Sequence, residues 1–123
     1  MKEPAICENH LYGKAYSHGR KSVQRHLIVY VLRDKAAKRV ARSRRDGEKV
    51  NRLGLTVRKN VGGAIERNRV KRILRAGYRS CVAENPPKKG FLIVIVARPS
   101  ALGVKSTVIS REMKEPFLEL ELI

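Results

Sequence analysis

One stretch limits what this chain can become: Arg58-Lys59-Asn60-Val61-Gly62-Gly63-Ala64-Ile65-Glu66-Arg67-Asn68-Arg69-Val70-Lys71-Arg72-Ile73-Leu74-Arg75. It reads as the end of a strand, a Gly-Gly turn and a helix running on to about Val82. At about 100° per residue, Val70, Ile73, Leu74, Gly77 and Cys81 fall on one stripe. Asn68, Arg72, Arg75 and Arg79 fall opposite, with Arg69 and Lys71 on the flanks. No acid occurs between Arg67 and Ala83, so the basic face has no neutralising neighbour one turn away. Cations in the first turns also oppose the helix dipole. A face that merely confers solubility mixes its signs. Arg67, Arg69, Lys71 and the free amides of the first turn instead make a concentrated positive site suited to phosphate. Gly62 and Gly63 remove side chains where another backbone can approach.

The flanking segments set this helix between strands. Arg52 to Lys59 alternates, with Leu53, Leu55 and Val57 facing the core and Gly54, Thr56 and Arg58 facing the other way. A glycine within a strand marks close approach by another backbone. After the helix, residues 85–90 (Asn-Pro-Pro-Lys-Lys-Gly) form a loop, and Phe91 to Ala97 reads as a buried strand ended by Arg98-Pro99. Upstream, Ser22 to Arg33 is extended and apolar on both faces around Leu27 to Leu32, so both faces should be covered. Periodicity does not decide whether Leu27, Val29 and Val31 or Ile28, Tyr30 and Leu32 face the basic helix.

Asn9 to His18 carries Leu11, Tyr12, Ala15 and Tyr16 at the spacing of a short amphipathic helix, which Gly19 ends. Residues 1–8 read as a loose arm. Residues 34–51 read as a mobile basic loop between two antiparallel strands. Near the end, Ser106 and Thr107 are positioned to cap a short helix carrying Val108, Ile109 and Met113, which Pro116 interrupts. The tail, residues 115–123, is acidic and apolar.

With 123 residues the chain is read as a single RNA-binding domain, because its net charge of +17 calls for a polyanionic partner. The longest apolar runs are far too short to cross a bilayer, so no membrane role is expected. The first residues hold Lys2, Glu3, Pro4 and Glu8 with no apolar core of a signal peptide, which points to the cytoplasm. Cys7 and Cys81 lack metal-ligand spacing and read as plain thiols, Cys81 in the core.

Arg67-Asn68-Arg69-x-Lys71-Arg72-x-Leu74-Arg75, preceded by Lys59-Asn60-x-Gly62-x-Ala64, resembles the signature of the bacterial ribonuclease P protein subunit. Ala76 departs from it, where the family often has Glu, and the acidic, apolar tail replaces a longer basic helix. The resemblance covers about Asn9 to Ile109 and leaves out the arm, the basic loop and the tail. It implies an α+β fold, a two-layer α/β sandwich with a four-stranded mixed sheet in the order α-β-β-β-α-β-α. It also implies a left-handed βαβ crossover, where the general preference is right-handed.

The resemblance further implies that Lys59, Asn60, Arg67, Asn68, Arg69, Lys71, Arg72 and Arg75 bind a catalytic RNA subunit. Tyr12, Tyr16, Ile28, Tyr30, Thr56 and Arg58 would line a cleft for the 5′ leader of precursor tRNA. Aromatic platforms with charge at one end suit a single strand. Cleavage would belong to the RNA with its Mg²⁺, and the protein itself would bind no cofactor.

The residues agree that no catalytic centre is visible. His10, His18 and His26 have no ligand or base partner at useful spacing, and the acids are too scattered for a two-metal nuclease site. A small basic ribosomal protein is the alternative. A helix-turn-helix DNA binder lacks its second helix, so DNA is not an expected partner.

Overall fold

The computed structural model describes residues 4–123. In chain order the elements are α1 (Asn9–His18), β1 (Arg20–Val23), β2 (Leu27–Arg33), α2 (Ala37–Arg42), β3 (Arg52–Thr56), α3 (Ala64–Glu84), β4 (Phe91–Ala97) and α4 (Ser106–Glu119). A 3-10 turn over Pro99–Ala101 links β4 to α4. The four strands form one mixed sheet in the order β1-β2-β4-β3. β1–β2 and β2–β4 are antiparallel, and β3 runs parallel to β4. The expected order of elements holds, with α2 as an addition. β2 and β3 run in opposite directions but do not pair, because β4 lies between them.

Both faces of the sheet are covered, as the two-sided apolar strands require. Leu27, Val29 and Val31 of β2 and Ile93, Ile95 and Ala97 of β4 enter a large core with α3 and α4. Leu92, Val94 and Val96 face α1, where Ile28, Tyr30 and Leu32 pack only partly buried. The choice left open by periodicity is thereby made: the odd-numbered β2 residues meet the basic helix.

On α3 the buried residues are Val70, Leu74, Gly77, Tyr78 and Cys81. Ile73, expected on the buried stripe, lies at its half-buried margin, and Tyr78 takes a full place in the core. Burial pushes the Cys81 thiol pKa up, which keeps it protonated. Gly77 is where α4 makes contact: a Cβ there would lie 2.6 Å from Ile109 Cγ2. That approach seats Ile109, Met113 and Phe117 fully inside, with Phe117 edge-on to Tyr78 at 6.2 Å between ring centroids.

Three regions differ from the sequence expectation. Pro116 does not stop the last helix, which continues to Glu119. An interior proline costs about 3 kcal/mol, whereas each large apolar side chain buried returns roughly 1.5–3 kcal/mol. Met113, Phe117, Leu120 and Leu122 are all buried, so packing outweighs the missing helix bond. The tail is also pinned: Arg20 donates to the Leu120 carbonyl at 2.8 Å, Ser22 to Glu119 at 2.6 Å, and the Lys88 amide to the Leu122 carbonyl at 2.7 Å.

Residues 4–8, expected to be loose, lie along β3. The Leu53 amide donates to Pro4, the Ile6 amide donates to Leu53, and Ile6 is buried under α1. Residues 1–3 of the expected arm lie outside the described residues.

The basic loop, finally, holds the short helix α2, which buries Ala37 and Ala41. Its first residue, Asp34, is 4% exposed and accepts two hydrogen bonds from Arg52, at 2.8 and 3.0 Å. Arg52 also donates to Glu8 at 3.0 Å, tying β2, β3 and the start of α1 together. A buried guanidinium needs such partners. Its bonds to Asp34 raise the Arg52 pKa above the usual value.

Candidate nucleic-acid interface

α1 packs over β2 and β4, and the side chains of its successive turns reach alternate residues of the neighbouring β3. Glu8 meets Arg52, Tyr12 meets Gly54 and Tyr16 meets Thr56. A Cβ on Gly54 would sit 2.7 Å from the Tyr12 ring. The glycine therefore makes room for an aromatic side chain rather than for another backbone. Burial pushes the Tyr12 phenol pKa up, so the ring stays neutral.

Tyr16 is the hub of this face. Its hydroxyl shares a 2.8 Å hydrogen bond with Thr56, and its ring meets Tyr30 edge-on at 5.0 Å between centroids. The Arg58 guanidinium stands 6.0 Å from the same ring, within cation–π range. Tyr12, Tyr16, Tyr30, Ile28, Thr56 are each half-buried, and so is the Val57 that follows; Arg58 is exposed. The structure thus gathers all six cleft residues into one apolar-to-cationic surface that the helix only partly covers.

A second surface follows α3. Asn68, Arg69, Arg72, Arg75 and Arg79 are exposed, as are Lys59 and Asn60 in the preceding turn. Arg67 and Lys71 are half-buried and line a small groove of about 230 Å³ with Val57, Ala64 and Asn68. The Arg67 Nε is buried there without a hydrogen-bond partner. Among the described residues, none of these α3 cations has an ion-pair partner within 4.0 Å, in contrast to Arg44 and Arg52. Glu66 turns away from them. Its side chain folds back over the Gly-Gly turn, within 2.9 Å of where Cβ atoms on Gly62 and Gly63 would stand. The glycines make way for this carboxylate, which occupies the end of the helix that the dipole reserves for an acid.

The two surfaces meet at the β3 edge. A groove of about 340 Å³ runs there, with Tyr12, Leu53 and Leu55 on one wall and Lys71, Arg75 and Arg79 on the other. Two residues of this constellation are not among those the resemblance assigns. Arg79, which the sequence already put on the basic face, extends the α3 row by one turn. Lys21 is the cross-strand partner of Tyr30, so its exposed side chain shares the cleft face. Only the register of β1 brings Lys21 there. Of the histidines, His10 and His18 lie exposed on α1, and His26 bonds Ser100 at 3.0 Å. Among the described residues no three His, Cys, Asp or Glu side chains are grouped to hold a metal ion, and no helix is long and apolar enough to cross a membrane.

Comparison with known proteins agrees with this geometry. A family model described as Ribonuclease P matches residues 2–121. The ribonuclease P protein component of Clostridium botulinum (strain Langeland) is 35% identical over 101 residues, covering 82% of this chain and 79% of that protein. That of Clostridium acetobutylicum is 31% identical over 123 residues, covering all of this chain and 93% of the relative. Among solved structures, the ribonuclease P protein of Staphylococcus aureus superposes with a TM-score of 0.74 over 98% of each chain at 21% identity. That of Thermotoga maritima gives 0.64 at 19% identity, covering 100% of this chain and 98% of the other. Those structural likenesses establish the fold, and the sequence matches displace the ribosomal alternative. Matched along nearly its whole length, the chain belongs to the ribonuclease P protein family, as the protein component of that RNA–protein endoribonuclease.

Proposed function

We propose that this chain acts as a single RNA-binding domain with two contact surfaces. Lys59, Asn60, Arg67, Asn68, Arg69, Lys71, Arg72 and Arg75 bind the catalytic RNA. Tyr12, Tyr16, Ile28, Tyr30, Thr56 and Arg58 hold the unpaired 5′ leader of precursor tRNA. The RNA subunit with its Mg²⁺ cuts the phosphodiester. The protein lowers the repulsion between two polyanions, which favours the substrate-bound state.

The observation that carries this reading is the row of α3 cations with no ion-pair partner among the described residues. Like charges one turn apart destabilise a helix, and a folded chain retains them at low cost only when an external anion neutralises them. The test is the salt dependence of binding to the catalytic RNA. Arg69→Ala with Arg72→Ala should fold normally, because both side chains are exposed. The log–log slope should become shallower by roughly 0.7 to 0.9 for each phosphate that the variant no longer neutralises. A folded double variant with an unchanged slope would refute the assignment.

A further inference from the structure

The α1-facing side of the sheet does not end at the tyrosines. Ile28, Tyr30 and Leu32 alternate along the same face of β2, a path of about 13 Å at roughly 3.3 Å per residue. Beyond Tyr30 this path opens into a groove of about 730 Å³, floored by Leu11, Leu32 and Leu92. One wall is the flank of α1 carrying His10, Lys14 and His18, which recur every four residues. The basic segment supplies the other wall: Lys35 lies just before α2 and Arg39 within it.

Two acids, Glu8 and Asp34, border the groove, but Arg52 already holds both. Among the described residues Lys14, Lys35 and Arg39 form no ion pair, so the groove keeps a positive field over an apolar floor. That combination fits a single-stranded polynucleotide, whose bases prefer the floor and whose phosphates prefer the walls. The volume accommodates more than a lone phosphate ion, and Leu32, two residues from Tyr30 on the same face of β2, links its floor to the tyrosine face.

We propose that this groove is a distal leader subsite: it takes the nucleotides upstream of those held at Tyr12, Tyr16 and Tyr30. The proposal rests on the leader-cleft reading above and adds a role for the basic segment, which here forms a wall and not a free loop. Direct phosphate contacts come from Lys14, Lys35 and Arg39. Ala37 and Ala41 hold α2 in place from beneath.

The experiment uses the full chain assembled with its catalytic RNA. Two precursor tRNAs are compared, one with a leader just reaching the tyrosines and one longer by about four nucleotides, the low end of single-strand site sizes. The wild-type complex should bind the longer leader several-fold more tightly. Lys35→Ala with Arg39→Ala should abolish that advantage and leave the short-leader affinity unchanged. Lys35→Glu, which leaves the buried alanines alone, should reverse the preference and guards against misfolding of the double variant. Equal losses on both leaders would overturn the subsite in favour of general attraction, and so would no loss on either. Tyr30→Ala separates the two readings: if short-leader affinity survives that change, the cleft itself has failed, whatever α2 does.

Discussion

The two faces of the sheet are built from the same two strands and come out differently. Toward α3 and α4, alternate residues of β2 and β4 meet two long helices, and the core closes over Tyr78, Phe117, Ile109 and Leu74 at 1% exposure or less. Toward α1, a ten-residue helix covers a face of similar length and leaves Leu11, Tyr12, Tyr16, Ile28, Tyr30 and Leu32 only partly buried. Amphipathic side chains occupy the unfinished side, with the Tyr16 and Tyr30 rings in contact. One sheet is thus closed over on one side and left partly open on the other. Stability and recognition should therefore respond to different mutations.

Phe117→Ala should show the largest effect. It empties a fully buried site on the closed face and should cost about 3–5 kcal/mol, read from the urea midpoint. Where the variant remains folded, its salt dependence toward RNA should match the wild type. A changed slope would mean that the closed face also shapes the RNA contacts.

Gly54→Ala should act on the open face. The new methyl lies within 2.7 Å of the Tyr12 ring, which must shift. Overpacking of this kind costs about 1–3 kcal/mol, and the lower end is expected here because the ring is only half enclosed. The larger consequence should be selective: affinity for precursor tRNA falls while affinity for mature tRNA holds. Loss of both together would make Tyr12 a structural residue.

Tyr16→Phe is the finest probe. It removes the hydrogen bond to Thr56 and keeps the ring against Tyr30 and Arg58. A single neutral hydrogen bond is worth about 1 kcal/mol net, so a small drop in stability is expected with leader affinity retained. Tyr16→Ala should abolish that affinity. If Phe and Ala weaken leader binding equally, the hydroxyl itself makes the contact.

Much of this contrast is written in the sequence. The acid-free run from Arg67 to Ala83, the alternation of Leu53, Leu55 and Val57, and the spacing of Leu11, Tyr12, Ala15 and Tyr16 are local patterns, so their elements could be read directly. Local periodicity fixes which residues share a face, because side-chain direction follows from backbone geometry alone. It does not fix what that face meets. Periodicity left the odd-numbered residues of β2 without a side, although the family resemblance had Ile28 and Tyr30 face the cleft; only the tertiary structure put Lys21 beside Tyr30 and gave Gly54 to a ring.

The same division explains the two segments whose structure departs from their local pattern. Pro116 is a helix breaker by its own chemistry, and residues 34–51 look like solvated loop by composition. Burial of Phe117 and Leu122, and the pairing of Asp34 with Arg52, outweigh those tendencies through partners 18 or more residues away. Sequence determined the charge, the helix faces and the family. Contacts between residues distant in the chain, which carry most of the packing energy, decided where the chain closes and where it stays open to a partner.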